Sequence, residues 1–337
     1  MSDSERPILI ATRGSVLALA QADNVLAQCR AAFPRLRFER KIIKTTGDKL
    51  QTASMAQTGT ALPKGLFTKE LEVALLKHRA DLAVHSLKDL PTDLPAGLKL
   101  GAVGRRADVR DVLIYLDAAC LQAPPSEEWT PGQSERRGFK PHLKLKDLPP
   151  GATVATSSTR RKAHLLEHRP DLKVVEIRGN VLTRLQKLAD RAELDATILA
   201  LAGISRLDIR VTPEGKLEGD AVPDGLLAVV LEPEIMLPCV GQGAVGIEIR
   251  ANDEHIEAVC ARLNHLSTHQ CVLAERTFLH AMGGGCQSPV AAYAEITGDQ
   301  IRMRAVSFRG EQPKRAEGKR PVKEAVELGE QLAAELK

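Results

Sequence analysis

The sequence predicts an α/β protein: two similar α/β lobes followed by a smaller C-terminal α+β domain. Three observations point there. Residues 8–45 read as a short apolar strand, a polar loop with Arg and Ser, an amphipathic helix and a second strand. The same plan returns over residues 153–177. The last 70 or so residues change pattern to helix, hairpin and helix. With 337 residues the chain has room for two or three domains, and 43% hydrophobic residues supply their cores.

The elements follow in order. Ile8–Thr12 is an apolar run ended by Arg13-Gly14-Ser15, and Ser15 is a good N-cap for a helix over Val16–Phe33. A helix start at a strand's C-terminal end binds anions through its N–H groups and dipole. An ordinary cap beside a solvated Arg is the other reading. Residues 45–65 form a loop too long for a plain connector, which suggests a lid. A helix over Phe67–His78 leads to a strand at Asp81–Val84, and His85-Ser86-Leu87-Lys88-Asp89-Leu90-Pro91 ends it. Ligands in open α/β sheets bind at such strand ends, so Asp89 beside Lys88 is a candidate acid/base or charge stabiliser. A surface turn is the alternative.

Residues 101–110 read as a crossing between domains, and Asp111–Leu116 as a strand. Residues 118–148, with Pro124-Pro125 and the only tryptophan, Trp129, read as a mobile surface excursion. In the second lobe Ser158, Arg160 and Arg161 follow a strand, Arg178 closes another, Arg184 lies in the next helix, and Arg206 follows a third strand. Residues 236–249 carry glycines without phosphate-loop spacing and read as a crossing back. A helix over Thr268–Ala281 then runs into Gly283-Gly284-Gly285-Cys286-Gln287-Ser288-Pro289. Three glycines and a proline cannot continue a helix, so Cys286 belongs to a loop. A loop thiol is placed for chemistry, while a buried loop cysteine is the plainer reading.

Composition excludes several classes. The net charge of +4 is mild and aromatics are only 3%, so no stacking platform for nucleic acid accompanies the basic residues. No apolar run is long enough to span a membrane, and the N-terminus lacks the apolar segment of a secretion signal. Six scattered cysteines without a CxxC pair read as free thiols in a reducing compartment, hence the cytoplasm. No metal-ligand spacing, Walker A, GxGxxG or GxSxG element is evident. What remains is a set of cations and helix-start hydroxyls with one acid. Such a set suits a ligand with several carboxylates, because Arg forks match them bidentately.

Seven stretches, in order, resemble the porphobilinogen deaminase (hydroxymethylbilane synthase) family. They are Ala11-Thr-Arg-Gly-Ser15 with Gln21, Lys64-Gly-Leu-Phe67 with Lys69-Glu-Leu-Glu72, and His85-Ser-Leu-Lys-Asp89. Then come Thr156-Ser-Ser-Thr-Arg-Arg161, Arg178-Gly-Asn180 with Arg184, Val240-Gly-Gln-Gly-Ala-Val-Gly-Ile-Glu248, and Gly284-Gly-Cys-Gln287. The resemblance implies a lobe pair like that of periplasmic binding proteins. On it, residues 1–104 with 241–262 form the first lobe, 105–240 the second with its insertion at about 118–148, and 263–337 the domain carrying the cofactor cysteine. It implies a dipyrromethane cofactor on a thioether to Cys286, and head-to-tail condensation of porphobilinogen units with loss of ammonia.

The resemblance assigns roles as well. Asp89 is the catalytic acid, binding pyrrole N–H groups and stabilising the positive charge left as ammonia departs. Lys88, Ser158, Arg160, Arg161 and Arg184 hold the cofactor. Arg13, Ser15, Gln21, Arg178, Arg206, Lys64 and Phe67 serve the substrate. It also implies a monomer without a metal, whose product passes to uroporphyrinogen-III synthase. The chain departs from the family pattern at Leu9, where an arginine is frequent, in the longer loop Thr58–Pro63, and in the 118–148 excursion. The alternative is a non-catalytic module for a polycarboxylate ligand, which would need neither Cys286 nor Asp89.

Overall fold

A computed structural model describes residues 6–48, 67–121, 136–285 and 288–337. The chain forms two compact units, residues 1–107 with 239–337 and residues 108–238. The first unit opens with β1 (Ile8–Thr12), which pairs in parallel with β2 (Phe38–Ile42) and β3 (Leu82–Ser86). Between β1 and β2 runs α1 (Val16–Ala32), whose cap Ser15 accepts the Ala18 N–H at 3.3 Å. Helix α2 (Lys69–Leu76) buries Leu71, Ala74 and Leu75. A single 3-10 turn, Leu87–Asp89, follows β3, and β4 (Leu98–Val103) completes this passage.

The second unit opens with β5 (Asp111–Leu116), every residue of which is buried. Then come β6 (Thr153–Ala155), α3 (Thr159–His168), β7 (Lys173–Val175), α4 (Val181–Asp190), β8 (Ala196–Ala200) and a short α5 (Leu201–Ser205). The small pair β9 (Arg210–Val211) and β10 (Leu217–Glu218) precedes β11 (Leu226–Leu231). The sheet order is β7-β6-β8-β5-β11, with the first three parallel and the last two each antiparallel to the preceding strand.

Of the excursion expected over residues 118–148, residues 122–135 lie outside the described residues. Its return limb is packed, which corrects the expectation of a mobile surface segment there. Phe139 pairs with Asp117 and stacks edge-on to Tyr115, while Leu145 and Leu148 join the core. The Tyr115 hydroxyl accepts the Leu143 N–H at 2.9 Å, and Arg137 pairs with the buried Asp195 at 2.6 Å.

Back in the first unit, β12 (Val245–Arg250) inserts antiparallel between β3 and β4, giving the order β2-β1-β3-β12-β4. Each unit thus holds three parallel strands flanked by two strands of alternating direction. After α6 (Glu254–Leu263), helix α7 (Leu266–Ala281) packs with α8 (Ala325–Leu336) on the antiparallel sheet of β13 (Val290–Thr297), β14 (Gln300–Ser307) and β15 (Lys314–Pro321). Phe278, Met303, Leu328 and Leu332 centre that core. It is tied to the first sheet's loops by the buried Glu275. This carboxylate takes both ends of the Arg106 guanidinium, at 2.6 and 3.0 Å, and the N–H groups of Gly241 and Ala294 at 2.8 Å. Among the described residues no helix is long and apolar enough to cross a membrane.

Candidate functional site

Several of the expected site residues stand, within each unit, just beyond the C-terminal ends of parallel strands. A strand end leaves N–H groups unpaired, and the following helix start adds more, so anions are favoured there. In the first unit β1 delivers Arg13 and Ser15, and β3 delivers Lys88 and Asp89. Gln21 is buried rather than open, and its amide bonds the Ser86 hydroxyl at 2.9 Å, fastening α1 to the end of β3.

Arg13 already has partners. Its Nε and Nη2 donate to Asp48 at 3.2 and 2.5 Å, and its guanidinium lies 4.1 Å from the centroid of the Phe67 ring. Burial pushes the Asp48 carboxyl up, but hydrogen bonds from Arg13 and Thr45 outweigh it and hold the group below its ordinary range. Asp48 therefore stays ionised and aims one edge of the guanidinium. The Nη1 side is left facing away from Asp48, suited to a second carboxylate.

Lys88 is half-buried, whereas Asp89 is exposed. Among the described residues none hydrogen-bonds or pairs with the Asp89 carboxylate. Immediately behind it the chain is rigid: His85 Nε2 meets Glu248 at 3.0 Å, with the two side chains 4% and 0% exposed. Leu87 N–H reaches Ala244 O at 3.1 Å. The contrast matters chemically, because an open carboxylate on a fixed turn can meet a cationic ligand without first breaking an internal ion pair.

In the second unit Ser158 caps α3 by accepting the Arg161 N–H at 3.4 Å. Arg160 and Arg161 are buried, not open to a cleft wall. Both pair with Asp111, each at 2.8 Å, and each also donates to a main-chain carbonyl, Leu237 O and Ile198 O. Burial pushes the Asp111 carboxyl up, yet the two guanidinium charges and their hydrogen bonds win and hold it well below its usual range. Two cations on one anion leave the cluster with one net positive charge beneath the start of α3. Arg178 is exposed and pairs with Glu176 at 3.0 Å. Arg184 donates to Gly179 O at 2.9 Å, and Arg206 is half-buried.

Cys286 and Lys64 lie outside the described residues, as do residues 49–63 of the expected lid. The approach to Cys286 is well defined. Gly283 (φ 62°) ends α7 in the left-handed region, with its N–H on His280 O and that of Gly284 on Leu279 O. Beyond, Gly285 and Ser288 bond each other twice, at 2.9 and 3.0 Å. A dipyrromethane bears carboxylates on both rings, and the strand-end cations and capped helix starts are the donors such a group needs.

Sequence reasoning gave no role to Asp48, Asp111, Glu248 or Glu275. The Arg or His side chain that each pairs with lies 35 to 169 residues away along the chain. It also expected no metal spacing, yet one ligand atom each of His164, Glu167 and His168 lies within 4.8 Å of the others on α3. The His-x-x-Glu-His spacing was the available signal. The set sits at the opposite end of α3 from Ser158, with His168 Nε2 on Ile235 O at 3.0 Å.

Comparison with known proteins gives a consistent answer. Residues 8–258 match the family described as "Porphobilinogen deaminase, dipyromethane cofactor binding domain", and residues 269–337 match "Porphobilinogen deaminase, C-terminal domain". A porphobilinogen deaminase of Desulforudis audaxviator is 43% identical over 335 residues, covering 98% of this chain and 94% of the relative. That of Thermus thermophilus is 40% identical, covering 98% and 95%. That of Paracoccus denitrificans is 39% identical, covering 100% and 96%. Among solved structures, the BenM effector binding domain with its effector benzoate overlaps 77% of this chain and 91% of that one at 16% identity. Its TM-score of 0.41 is too low to add to the fold described above. Matched in both family domains and this similar to relatives over nearly their whole length, the chain belongs to the porphobilinogen deaminase family.

Proposed function

We propose that the chain is a hydroxymethylbilane synthase. It is a transferase that joins porphobilinogen units head to tail, releasing ammonia at each addition, on a dipyrromethane held by a thioether to Cys286. Beside the family membership, one observation carries the reading: an exposed carboxylate, Asp89, unpaired among the described residues, next to Lys88 on a strand-end turn. When bound, the dipyrromethane supplies the pyrrole terminus to which new units are joined.

This chain's own residues do the rest. Ser15 and the outward edge of Arg13 take substrate carboxylates in the first unit. Ser158, Arg178, Arg184 and Arg206, with the net charge of the Arg160–Arg161–Asp111 cluster, take cofactor or substrate carboxylates in the second. Lys64 and Phe67 complete the set, with the Phe67 ring 4.1 Å from the Arg13 guanidinium. Asp89 accepts pyrrole N–H hydrogen bonds and stabilises the positive charge that develops on the substrate as ammonia leaves. It then receives the proton lost when the new carbon–carbon bond forms.

A protein of the reducing cytoplasm fits the five free cysteines among the described residues. We take the working form to be a monomer that passes its product to uroporphyrinogen-III synthase, and residues 263–337 to be the domain that carries the tether. Intact-mass spectrometry tests the proposal. Purified protein is expected to weigh the polypeptide plus two pyrrole units, to gain further units on adding porphobilinogen, and to show bare polypeptide for Cys286→Ser. Active wild-type protein of bare polypeptide mass would refute it.

A further inference from the structure

The turn that presents Asp89 is not self-supporting. Its last hydrogen bond, Leu90 N–H to Leu87 O at 3.1 Å, closes one 3-10 turn only. The next three residues direct their carbonyls at one cation. Arg276, on α7, donates Nη1 to Leu90 O at 3.0 Å, and Nη2 to Pro91 O at 2.6 Å and Thr92 O at 3.4 Å. Converging carbonyl dipoles repel one another, and Pro91 has no N–H with which to anchor the strand elsewhere. A planar guanidinium reaches all three from two nitrogens in a fixed fork, a geometry that the single nitrogen of a lysine does not reproduce.

We infer that Arg276 is a positioning residue for the reaction: through Leu90, Pro91 and Thr92 it sets where the Asp89 carboxylate stands. The inference rests on the catalytic reading of Asp89. The hydrogen bonds of Arg276 to this turn go to the carbonyls that follow Asp89, not to its carboxylate. Its helix ends five residues later at Ala281, and the chain continues toward Cys286. One helix therefore both clamps the turn bearing the acid and leads to the tethering thiol. Because effective proximity depends on about an ångström, loosening this clamp costs rate more than binding.

A cavity of about 460 Å³ adjoins the guanidinium, lined by Thr92, Asp93, Lys99, His269 and Leu273 among others. It is large enough to admit a free guanidinium ion if the Arg276 side chain is cut back.

The test uses holoenzyme whose cofactor loading has been verified by intact mass. Arg276→Ala is expected to lose about 10- to 100-fold in kcat with KM within about twofold of wild type. Millimolar guanidinium chloride should restore part of the kcat, while equal sodium chloride should not. Arg276→Lys, which keeps the charge but not the fork, is expected between the two. A merely structural role would lower the folded, loaded fraction without changing kcat per loaded molecule, and would show no guanidinium rescue. Either that pattern or wild-type kcat in both variants overturns the inference. Asp89→Asn is measured beside them. If it turns over normally, the reading of the acid itself fails. If it is inactive while Arg276→Ala is normal, only the positioning inference fails.

Discussion

Asp89 and Arg161 show how differently two charged side chains are used. Asp89 is exposed at the end of a strand, and Arg161 is 5% exposed beneath a helix start. Removing the charge of the first should leave the fold alone. Asp89→Asn is expected to lower turnover by at least about 100-fold with an unchanged melting temperature, measured on folded, cofactor-loaded protein. Near-normal product formation would end its candidacy. Asp89, Arg13, Ser15 and Ser158 were legible because each follows an apolar run within one to five residues. The pairing of Arg160 and Arg161 with Asp111 was not, since the acid lies 50 residues away at the head of an apolar strand. No local pattern marks an ion pair made by sheet topology.

At the scale of elements, periodicity and caps were readable where the segment has one apolar face. The β13–β14 hairpin and the end of α7 stand where the turn residues at Gly298-Asp299 and Gly283 place them. β15 escaped notice because Lys314–Pro321 is a largely polar strand that buries little of its own surface. β4 was mistaken for part of a crossing because its glycine, Gly101, reads as a loop signal; in the fold a side chain there would run into Ile249 at 2.7 Å. The α7–α8 contact depends on one missing side chain. A Cβ at Gly329 would stand 2.4 Å from Ala274 O and 2.9 Å from Thr277 Cβ, within α7 itself. Gly329→Ala is therefore expected to destabilise the protein by about 1–3 kcal/mol by forcing the helices apart, despite alanine's better helix propensity. Urea unfolding decides it, and a stabilised variant would show that the helices separate freely.

For the whole molecule, acid stability follows from the buried cluster of the second unit. The Asp111 carboxyl titrates below its unfolded value, so its contribution is complete above about pH 4 and is lost as pH falls through the folded value. Asp111→Asn leaves two buried guanidiniums without an anion and should cost about 3–5 kcal/mol at neutral pH. The stability gap between wild type and variant is expected to stay constant from pH 7 to 5 and to close only in stronger acid. A gap that grows on acidification would contradict this assignment.

By itself the sequence determined the α/β class and the doubled strand–loop–helix plan, and it singled out Asp89 and Cys286 as the candidate acid and tether. These depend on runs of residues that physically touch along the chain. Tertiary structure alone decided which cations remain open to a ligand. Arg13 is aimed by Asp48, Arg160 and Arg161 are drawn inward by Asp111, and Arg276 is turned onto the carbonyls beyond Asp89. A charge pairs with whatever opposite charge or dipole the fold brings within a few ångströms, and that neighbour is set by how strands and helices pack, not by its distance along the chain.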